Sequence, residues 1–204
     1  MTCKHCCYSC GKKGDDMTID TMRNAIKTLG GGQIAIGGGE PTLHPLFWQI
    51  LGESIAASEF VWMATNGSNT EISLALANMA KKGVIGCALS QDDYHDEIDY
   101  DVIKAFTKDA KTVYGSREND AREIRNVTGK VIKAGRASKN KIYDVAKDCC
   151  CEDILVNPNG DIRPCGCLNS PIFGNVNTEI KIPADWNYGE CFKSESNKGL
   201  TNGR

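Results

Sequence analysis

Hydrophobic and polar positions over residues 1–147 alternate between two periods. Short apolar runs of strand length are followed by segments in which apolar residues recur at helical spacing. The runs predict a short buried strand at residues 33–37 and further strands at residues 59–65, 84–90, 124–127 and 130–134. The helical spacings predict helices at residues 18–29, 46–57, 69–82 and 100–111. Repeated strand–helix units are typical of an α/β fold with a parallel sheet. A closed TIM barrel needs eight such units and only four or five are visible, so we expect an open, partial β/α barrel.

The pattern changes at about residue 148. From there to residue 204 the chain is rich in cysteine, asparagine and glycine, and it shows no helical period. Asn159-Gly160, between short runs at 154–156 and 161–163, predicts a β-hairpin. We therefore expect two domains, a partial barrel at residues 1–147 and a small cysteine-rich hairpin extension at residues 148–204.

Composition supports a globular protein and argues against two classes of partner. Hydrophobic residues make up 41% of the 204 residues and charged residues 25%, which is typical of a chain with a packed core. The 24 Lys and Arg residues nearly balance 26 Asp and Glu residues, so the formal charge of −2 gives no overall attraction to nucleic acid or to an anionic membrane. Apolar stretches such as residues 84–89 are too short to cross a bilayer. We expect no nucleic-acid partner and no membrane partner.

Cysteine usage indicates metal binding. The chain has eleven cysteines, an odd number, and it is too long for a disulfide-stapled mini-domain. Its first residues contain no apolar segment of a secretory signal. We therefore expect a cytoplasmic protein that uses thiols as metal ligands. Cys87 lies within an apolar strand and is predicted to be a core residue.

Three cysteines near the start, Cys3, Cys7 and Cys10, have the spacing C-x3-C-x2-C. Thiolates are ligands for zinc, copper(I) and iron–sulfur clusters. A cubane cluster normally takes four cysteines, so a loop that supplies three leaves one iron open. The alternative is a structural zinc site, in which Cys6 and His5 would complete the four ligands.

A glycine-rich loop, Gly38-Gly39-Glu40-Pro41, follows the predicted strand 33–37. Glycines at such a position let a ligand approach bare backbone amides and carbonyls. Ligands of open α/β sheets bind outside the carboxyl ends of the strands. Taken alone, the run is equally typical of an ordinary tight turn, and a zinc site has no use for it.

The cysteine triad, followed one helix and one strand later by the Gly-Gly-Glu-Pro loop, resembles the radical S-adenosylmethionine (radical SAM) enzymes. The resemblance implies a [4Fe–4S] cluster on the triad, whose open iron is chelated by S-adenosylmethionine. It also implies reductive cleavage of that cofactor to a 5′-deoxyadenosyl radical, which abstracts hydrogen from a substrate. An electron donor such as flavodoxin or ferredoxin is then expected, together with a peptide, another bulky molecule or a small molecule as substrate.

The resemblance assigns cofactor contacts to individual positions. Gly38, Gly39 and Glu40 would hydrogen-bond the amino group of the cofactor. The other expected contacts are Asn66 in Thr65-Asn66-Gly67, Ser90, Asp92, Arg136 in Gly135-Arg136-Ala137, and Tyr8, which stands one position before the family's usual aromatic site, here Ser9. A plain β-to-α turn at Asn66 and a surface salt bridge at Arg136 are the structural alternatives. His95 is expected to be either solvated or in contact with substrate.

One departure from the family concerns its first strand, which precedes the triad. Only Met1 and Thr2 stand there in this sequence. Either the sheet lacks that strand or another segment replaces it. We therefore expect a partial barrel of radical SAM type without a normal first strand.

The cysteine-rich region after residue 148 resembles the SPASM/Twitch extension of the family, which houses auxiliary clusters. The resemblance rests on Gly160-x4-Cys165 and on Phe173-Gly174-Asn175-Val176. It implies a second [4Fe–4S] cluster, for which the predicted ligands are Cys150, Cys165, Cys167 and Cys191, with Cys149 or Cys151 as alternatives to the first. A four-cysteine zinc site is the competing interpretation.

Three functions fit these sequence features. The first is a radical SAM enzyme of unknown substrate. The second is a non-catalytic iron–sulfur or zinc protein that transfers electrons or stabilises structure, which would explain the cysteines but not the glycine-rich loop. The third is a degenerate radical SAM homologue that binds the cluster without turnover.

Overall fold

The computed structural model describes residues 3–108, 119–144, 154–167, 170–187 and 191. The chain divides into two compact units. The first unit is residues 30–128, and the second combines residues 2–29 with residues 129–204. The described elements are helices α1 Ile19–Leu29, α2 Phe47–Ala57, α3 Thr70–Lys81, α4 Tyr100–Phe106 and α5 Gly135–Asn140, a short 3-10 helix Pro41–Leu43, and strands β1 Gln33–Ile36, β2 Phe60–Thr65, β3 Gly86–Ser90, β4 Arg122–Arg125, β5 Leu155–Val156 and β6 Ile162–Arg163.

A four-stranded parallel sheet with strand order β1-β2-β3-β4 organises the first unit. Helices α2 and α3 connect the first three strands in turn, as the repeated strand–helix pattern predicts. Trp62 of β2 pairs with Ala35 of β1 and with Gly86 of β3. Because the strands are parallel, the loops that follow them lie at one edge of the sheet.

The core of this unit lies where the middle strands meet the helices. Met63, Leu76, Cys87 and Leu89 are fully buried there. Strand β3 is buried at its first four positions, whereas β2 alternates between buried and half-buried residues. The placement of Cys87 confirms its prediction as a core residue, and burial raises the pKa of its thiol to about 12.

Two predictions about strands are wrong. Strand β1 alternates between exposed and half-buried residues instead of being buried, because it forms an edge of the described sheet. Residues 130–134 do not form a strand. Val131 instead exchanges hydrogen bonds with Asp144, donating its N–H to Oδ2 at 3.1 Å and accepting from the backbone N–H at 2.9 Å. A loop contact therefore satisfies backbone groups that a sheet ladder would otherwise use.

The second unit contains α1 and the antiparallel strands β5 and β6. Thr18 caps α1, because its Oγ1 accepts the N–H of Thr21 at 3.1 Å, as the sequence predicts for the start of this helix. A small core forms from side chains of residues 154–187, with Ala25 of α1 packed against it. In that core the rings of Phe173 and Trp186 meet edge to face, with centroids 4.7 Å apart.

Some predictions about organisation stay predictions. The proposed domain boundary between residues 147 and 148 falls outside the described residues. The helix predicted at 100–111 is too long, because it ends at Phe106 and Thr107 has an extended backbone. In the described ranges, no helix combines the length and apolarity that a membrane span requires.

Leucines two positions apart on α3 test the placement of the core. We expect Leu76→Ala to lower the free energy of unfolding by about 2–5 kcal/mol, because it empties space around a fully buried side chain. Leu74 on the same helix is 37% exposed, so Leu74→Ala serves as the matched control with a smaller loss. Urea unfolding followed by circular dichroism measures both. Equal losses would contradict the assigned core face of α3.

A buried ion pair stands at the start of β4. The guanidinium of Arg122 binds both carboxylate oxygens of Asp120, at 2.9 and 2.7 Å, and donates to the carbonyl of Ala105 at 2.6 Å. The side chains of Arg122 and Asp120 are 6% and 1% exposed. Hydrogen bonds from Arg122 hold the pKa of Asp120 below its ordinary value of 3.8.

This pair predicts part of the acid sensitivity of the protein. Because the folded pKa of Asp120 is lowered, its stabilisation is complete above pH 3.8 and is lost as the pH falls through the folded pKa. We expect Asp120→Asn to lower stability at pH 7 and to flatten its decline below about pH 4. The measurement is the urea midpoint as a function of pH, with Asp20→Asn at an 89% exposed carboxylate as control. If the stability of Asp120→Asn declines below about pH 4 as steeply as that of the unaltered protein, the ion pair does not govern this decline.

Candidate functional site

The loop after β1 carries the Gly-Gly-Glu-Pro run in the first unit. Gly38 has φ of +136°, a conformation that side chains with a Cβ rarely adopt. A Cβ added at Gly37 or Gly38 would meet no atom of the described residues within 4 Å. The backbone of this loop is therefore open to the approach of a ligand, as the sequence predicts.

Glu40 uses its carboxylate to hold this loop to the end of the neighbouring strand. Oε1 accepts from the hydroxyl of Thr65 at 2.8 Å, and Oε2 accepts from the backbone N–H of Asn66 at 2.7 Å. Oε1 also accepts from the N–H and the hydroxyl of Thr42, at 3.2 and 2.8 Å, which caps the 3-10 helix. Both oxygens of the Glu40 carboxylate therefore accept hydrogen bonds from the protein itself. The backbone of the neighbouring glycines faces open space.

Thr65-Asn66-Gly67 forms the turn that leads from β2 toward α3. Gly67 has φ of +75°, and a Cβ there would lie 2.8 Å from Ile98 and 3.0 Å from Leu89. Asn66 is 8% exposed, and its Oδ1 accepts the N–H of Ser68 at 2.9 Å. The structure therefore shows the β-to-α turn that was one of the two interpretations, and the cofactor role of Asn66 stays a prediction.

Ser90 is the last residue of β3, and Asp92 lies in the loop that follows it, at the same edge of the sheet. Asp92 has a fully buried side chain, and its Oδ1 lies 2.7 Å from Nδ1 of His95, which is 11% exposed. Such a contact fixes the imidazole ring and leaves Nε2 as its second polar atom. An open cleft of about 650 Å³ adjoins the pair, with three further carboxylates on its wall: Asp96, Glu97 and Asp99.

The cysteine loop, residues 3–10 of the second unit, folds back on itself. Cys6 donates its N–H to the carbonyl of Cys3, and Ser9 donates to the carbonyl of Cys6, both at 3.3 Å. Ser9 has φ of +57°, in the left-handed region. All four cysteines of the loop carry reduced thiols and are half-buried.

Two cysteines of the loop lie close together. Sγ of Cys6 accepts from the backbone N–H of Cys10 at 3.3 Å. Hydrogen bonding from Cys10 lowers the pKa of Cys6 to about 5, and interaction with the Cys6 sulfur raises the pKa of Cys10. Burial raises the pKa of Cys3. The loop therefore offers the soft donors that an iron–sulfur cluster requires.

Helix α5 begins against this loop. The guanidinium of Arg136 donates to the carbonyl of Cys3 at 2.6 Å and to the carbonyl of Cys10. Its backbone N–H donates to the carbonyl of Cys6 at 2.9 Å. The alternative of a surface salt bridge does not describe these contacts, because the partners are backbone carbonyls. Tyr8 is half-buried in the same loop, and its contact with an adenine stays a prediction.

The second cysteine group is described in part. Cys165 is 6% exposed, whereas Cys167 and Cys191 are half-buried, and all three carry reduced thiols. Ser170 donates its hydroxyl to the carbonyl of Cys167 at 2.6 Å, and Arg163 donates to the carbonyl of Ser170. Three predicted ligands are thus placed in one unit. The fourth, Cys150, lies outside the described residues, as do its alternatives Cys149 and Cys151.

Comparison with known proteins reveals a likeness in structure. No protein-family model matches the chain, and no curated protein matches it. The solved structure of native anSMEcpe with bound AdoMet and the Kp18Cys peptide is similar, with a TM-score of 0.54 and 16% sequence identity, over 98% of this chain and 79% of that chain. The likeness agrees with the α/β architecture and the parallel four-stranded sheet, and it confirms that part of the predicted fold class. At this identity it shows the fold alone.

The hydrogen bonds of Glu40 predict a measurable loss of stability. In Glu40→Gln one end of the side chain becomes an NH2 group, which must face the hydroxyl and amide donors at Oε1 or the N–H of Asn66 at Oε2. We expect the free energy of unfolding to fall by about 1–3 kcal/mol. Glu123→Gln, at an exposed position of β4, is the control and should change it by less than about 0.5 kcal/mol. Urea unfolding measures both variants. Equal unfolding midpoints for Glu40→Gln and Glu123→Gln would show that the hydrogen bonds of Glu40 do not stabilise the fold.

Proposed function

We propose that this protein is a radical SAM enzyme. The observation that carries the proposal is the likeness in fold, over 98% of the chain, to a solved protein with bound AdoMet, in a sequence that also has the cysteine triad and the Gly-Gly-Glu-Pro loop of radical SAM enzymes. The loop of reduced thiols and the open backbone at Gly38 agree with it. Neither feature alone distinguishes this function from a simpler metal site.

In this proposal Cys3, Cys7 and Cys10 hold a [4Fe–4S] cluster with one iron left for S-adenosylmethionine. When bound, the pair supplies one-electron cleavage of the cofactor to methionine and a 5′-deoxyadenosyl radical, which takes a hydrogen atom from the substrate. The chain itself binds the two groups and orients them. The electron comes from a donor such as flavodoxin or ferredoxin.

The cofactor contacts follow from the loops at the carboxyl ends of the strands. The backbone of Gly38, Gly39 and Glu40 binds the amino group of S-adenosylmethionine, and the Glu40 carboxylate keeps that backbone in place. Other proposed contacts are Asn66, Ser90, Asp92 and Tyr8. The resemblance also implies a contact between Arg136 and the cofactor carboxylate, but the guanidinium of Arg136 binds the carbonyls of Cys3 and Cys10 instead. Because Oδ1 of Asp92 contacts Nδ1 of His95, a contact between Asp92 and the cofactor would use the other carboxylate oxygen, Oδ2.

A second metal site is proposed on Cys150, Cys165, Cys167 and Cys191. A [4Fe–4S] cluster of the Twitch kind is the preferred occupant, and a four-cysteine zinc site is the alternative. Cys165 and Cys167 are separated by one residue, and the hydroxyl of Ser170 holds the carbonyl of Cys167. The one-residue separation is tight for two ligands of one cubane cluster.

A peptide is the proposed substrate class. The solved structure that this chain resembles contains AdoMet and the Kp18Cys peptide. The partial barrel that the sequence predicts would also be more open at its mouth than a closed one, which suits a bulky molecule. A small molecule is the alternative. Nε2 of His95, beside the open cleft, is the side-chain atom proposed to contact substrate.

A non-catalytic zinc or electron-transfer protein is the second candidate. The observation in its favour is the hydrogen bond from the backbone N–H of Cys10 to Sγ of Cys6, at 3.3 Å, which keeps a fourth cysteine of the loop beside Cys10 for a closed tetrathiolate site. A degenerate homologue that binds a cluster without turnover is the third candidate.

Cofactor cleavage tests the proposed function. The protein is reconstituted anaerobically with iron and sulfide and then given dithionite and S-adenosylmethionine. We expect 5′-deoxyadenosine, detected by chromatography and mass spectrometry. Zinc in place of iron would contradict the proposed enzyme function and favour the second candidate. An assembled cluster that yields no 5′-deoxyadenosine would contradict it as well and favour the second or third candidate.

Cysteine variants separate the two sites and the two interpretations of the first loop. We expect Cys7→Ala to abolish cleavage, whereas Cys6→Ala retains it, because the neighbouring thiol is not a cluster ligand in this proposal. Cys165→Ala should keep the first cluster and lose iron only from the second. The measurements are iron and sulfide per chain and the electron paramagnetic resonance signal of the reduced protein. A retained first cluster in Cys7→Ala and its loss in Cys6→Ala would reverse the assignment.

A further inference from the structure

We propose that Arg136 is a positioning residue that closes the cysteine loop, residues 3–10, by bridging its first and last cysteines. The inference rests on the proposed function, because it concerns the protein's hold on the first cluster. It differs from the role that the family resemblance implies for this arginine, which is to pair with the cofactor carboxylate.

The bridge uses both arms of the guanidinium. One terminal nitrogen donates to the carbonyl of Cys3 at 2.6 Å, and the other donates to the carbonyl of Cys10. These two carbonyls stand at the two ends of the loop. A planar fork with fixed N–H directions can bind two acceptors at once and hold their separation. An ammonium group is a point charge on a flexible stem and does not impose that separation.

The backbone around Arg136 holds the middle of the same loop. The N–H of Arg136 donates to the carbonyl of Cys6 at 2.9 Å. Gly135 lies so close to the carbonyl of Cys7 that a Cβ would fall 2.1 Å from the oxygen, and its φ of +51° is in the left-handed region. At the other end of α5, Nδ2 of Asn140 donates to the carbonyl of Lys4 at 3.0 Å.

Helix α5 therefore contacts carbonyls along the whole loop. The loop's own bonds from Cys6 to Cys3 and from Ser9 to Cys6 are both 3.3 Å long, beyond the usual range for an N–H donor and a carbonyl. A short loop held by such bonds needs outside donors to stay ordered before a metal arrives. The guanidinium of Arg136 supplies two of them and its backbone N–H a third. The guanidinium also places a positive charge beside ligands that are anionic when they bind metal.

The first experiment uses the metal-free protein, so that its outcome does not depend on which metal binds. Hydrogen–deuterium exchange is measured by mass spectrometry on peptides that cover residues 3–10 and residues 70–81. We expect faster exchange in the loop peptide of Arg136→Met, with α3 unchanged. Arg136→Lys should show the same change to a smaller extent, because it keeps the charge and loses the fork. Arg23→Met is the control, since Arg23 is exposed on α1 of the same unit and its guanidinium lies 3.6 Å from the carboxylate of Asp20.

The second experiment uses the reconstituted protein and measures retention of the first cluster. Iron release to a chelator is followed optically in a Cys165→Ala background, in which only the first site is loaded. We expect release from Arg136→Met to be about 10- to 100-fold faster than from the parent protein, as for other partners that orient metal ligands. The signal of the reduced cluster should also shift in Arg136→Met and stay unchanged in Arg23→Met.

Each result decides the inference. Local opening of the loop with faster iron release supports it. Exchange and release equal to those of Arg23→Met overturn it, and so does wild-type behaviour of Arg136→Lys, which would show that no fork is needed. If Arg136→Met opens both peptides, Arg136→Lys decides, and global opening there also overturns the inference in favour of general stability. The proposed function fails separately, through absence of 5′-deoxyadenosine from the unaltered protein.

Discussion

Backbone groups in loops must find hydrogen-bond partners, and at both candidate loops of this protein a single side chain supplies several of them. Glu40 is the clearer case. Its carboxylate accepts from Thr42, Thr65 and Asn66, so the loop after β1 and the end of β2 are fixed to each other. A charged acceptor forms stronger hydrogen bonds than a neutral one, which suits a group that must hold two strand ends. The glycines beside it then stay open to a ligand.

In the second unit Arg136 has the opposite polarity, because it donates to backbone carbonyls whereas Glu40 accepts from N–H and hydroxyl groups. In both loops the charged side chain of the motif forms hydrogen bonds with other groups of the protein. The backbone or thiol groups next to it are the ones left for chemistry. A motif residue can therefore be required for function through the position it gives to its neighbours, without touching the reacting molecule.

The periodic elements and the grouping of motifs could be predicted from the sequence, because both depend on local spacing. The parallel α/β order, the cap at Thr18 and the burial of Cys87 are of this kind. The partial exposure of β1 could not be predicted, since it depends on which strands flank it in the sheet. The bonds of Arg136 to Cys3 and Cys10 join positions that are distant in the chain, so no local pattern indicates them. The Asp92–His95 pair could have been found, because an i, i+3 spacing in one loop is a local signal.

Cys6 is the residue at which the two possible chemistries of the cysteine loop diverge. Its sulfur accepts from the backbone N–H of Cys10, so the protein itself holds it in place whether or not it binds a metal. A closed zinc site would use it as a fourth ligand and would leave the open glycine loop without a purpose. A three-thiolate cluster would leave it as a neighbour whose hydrogen bonds help to hold Cys10 in place, and would give the backbone at Gly38 a cofactor to bind. Only the second arrangement gives the open glycine backbone a role, which is why the proposed function assigns a cluster and not zinc to Cys3, Cys7 and Cys10.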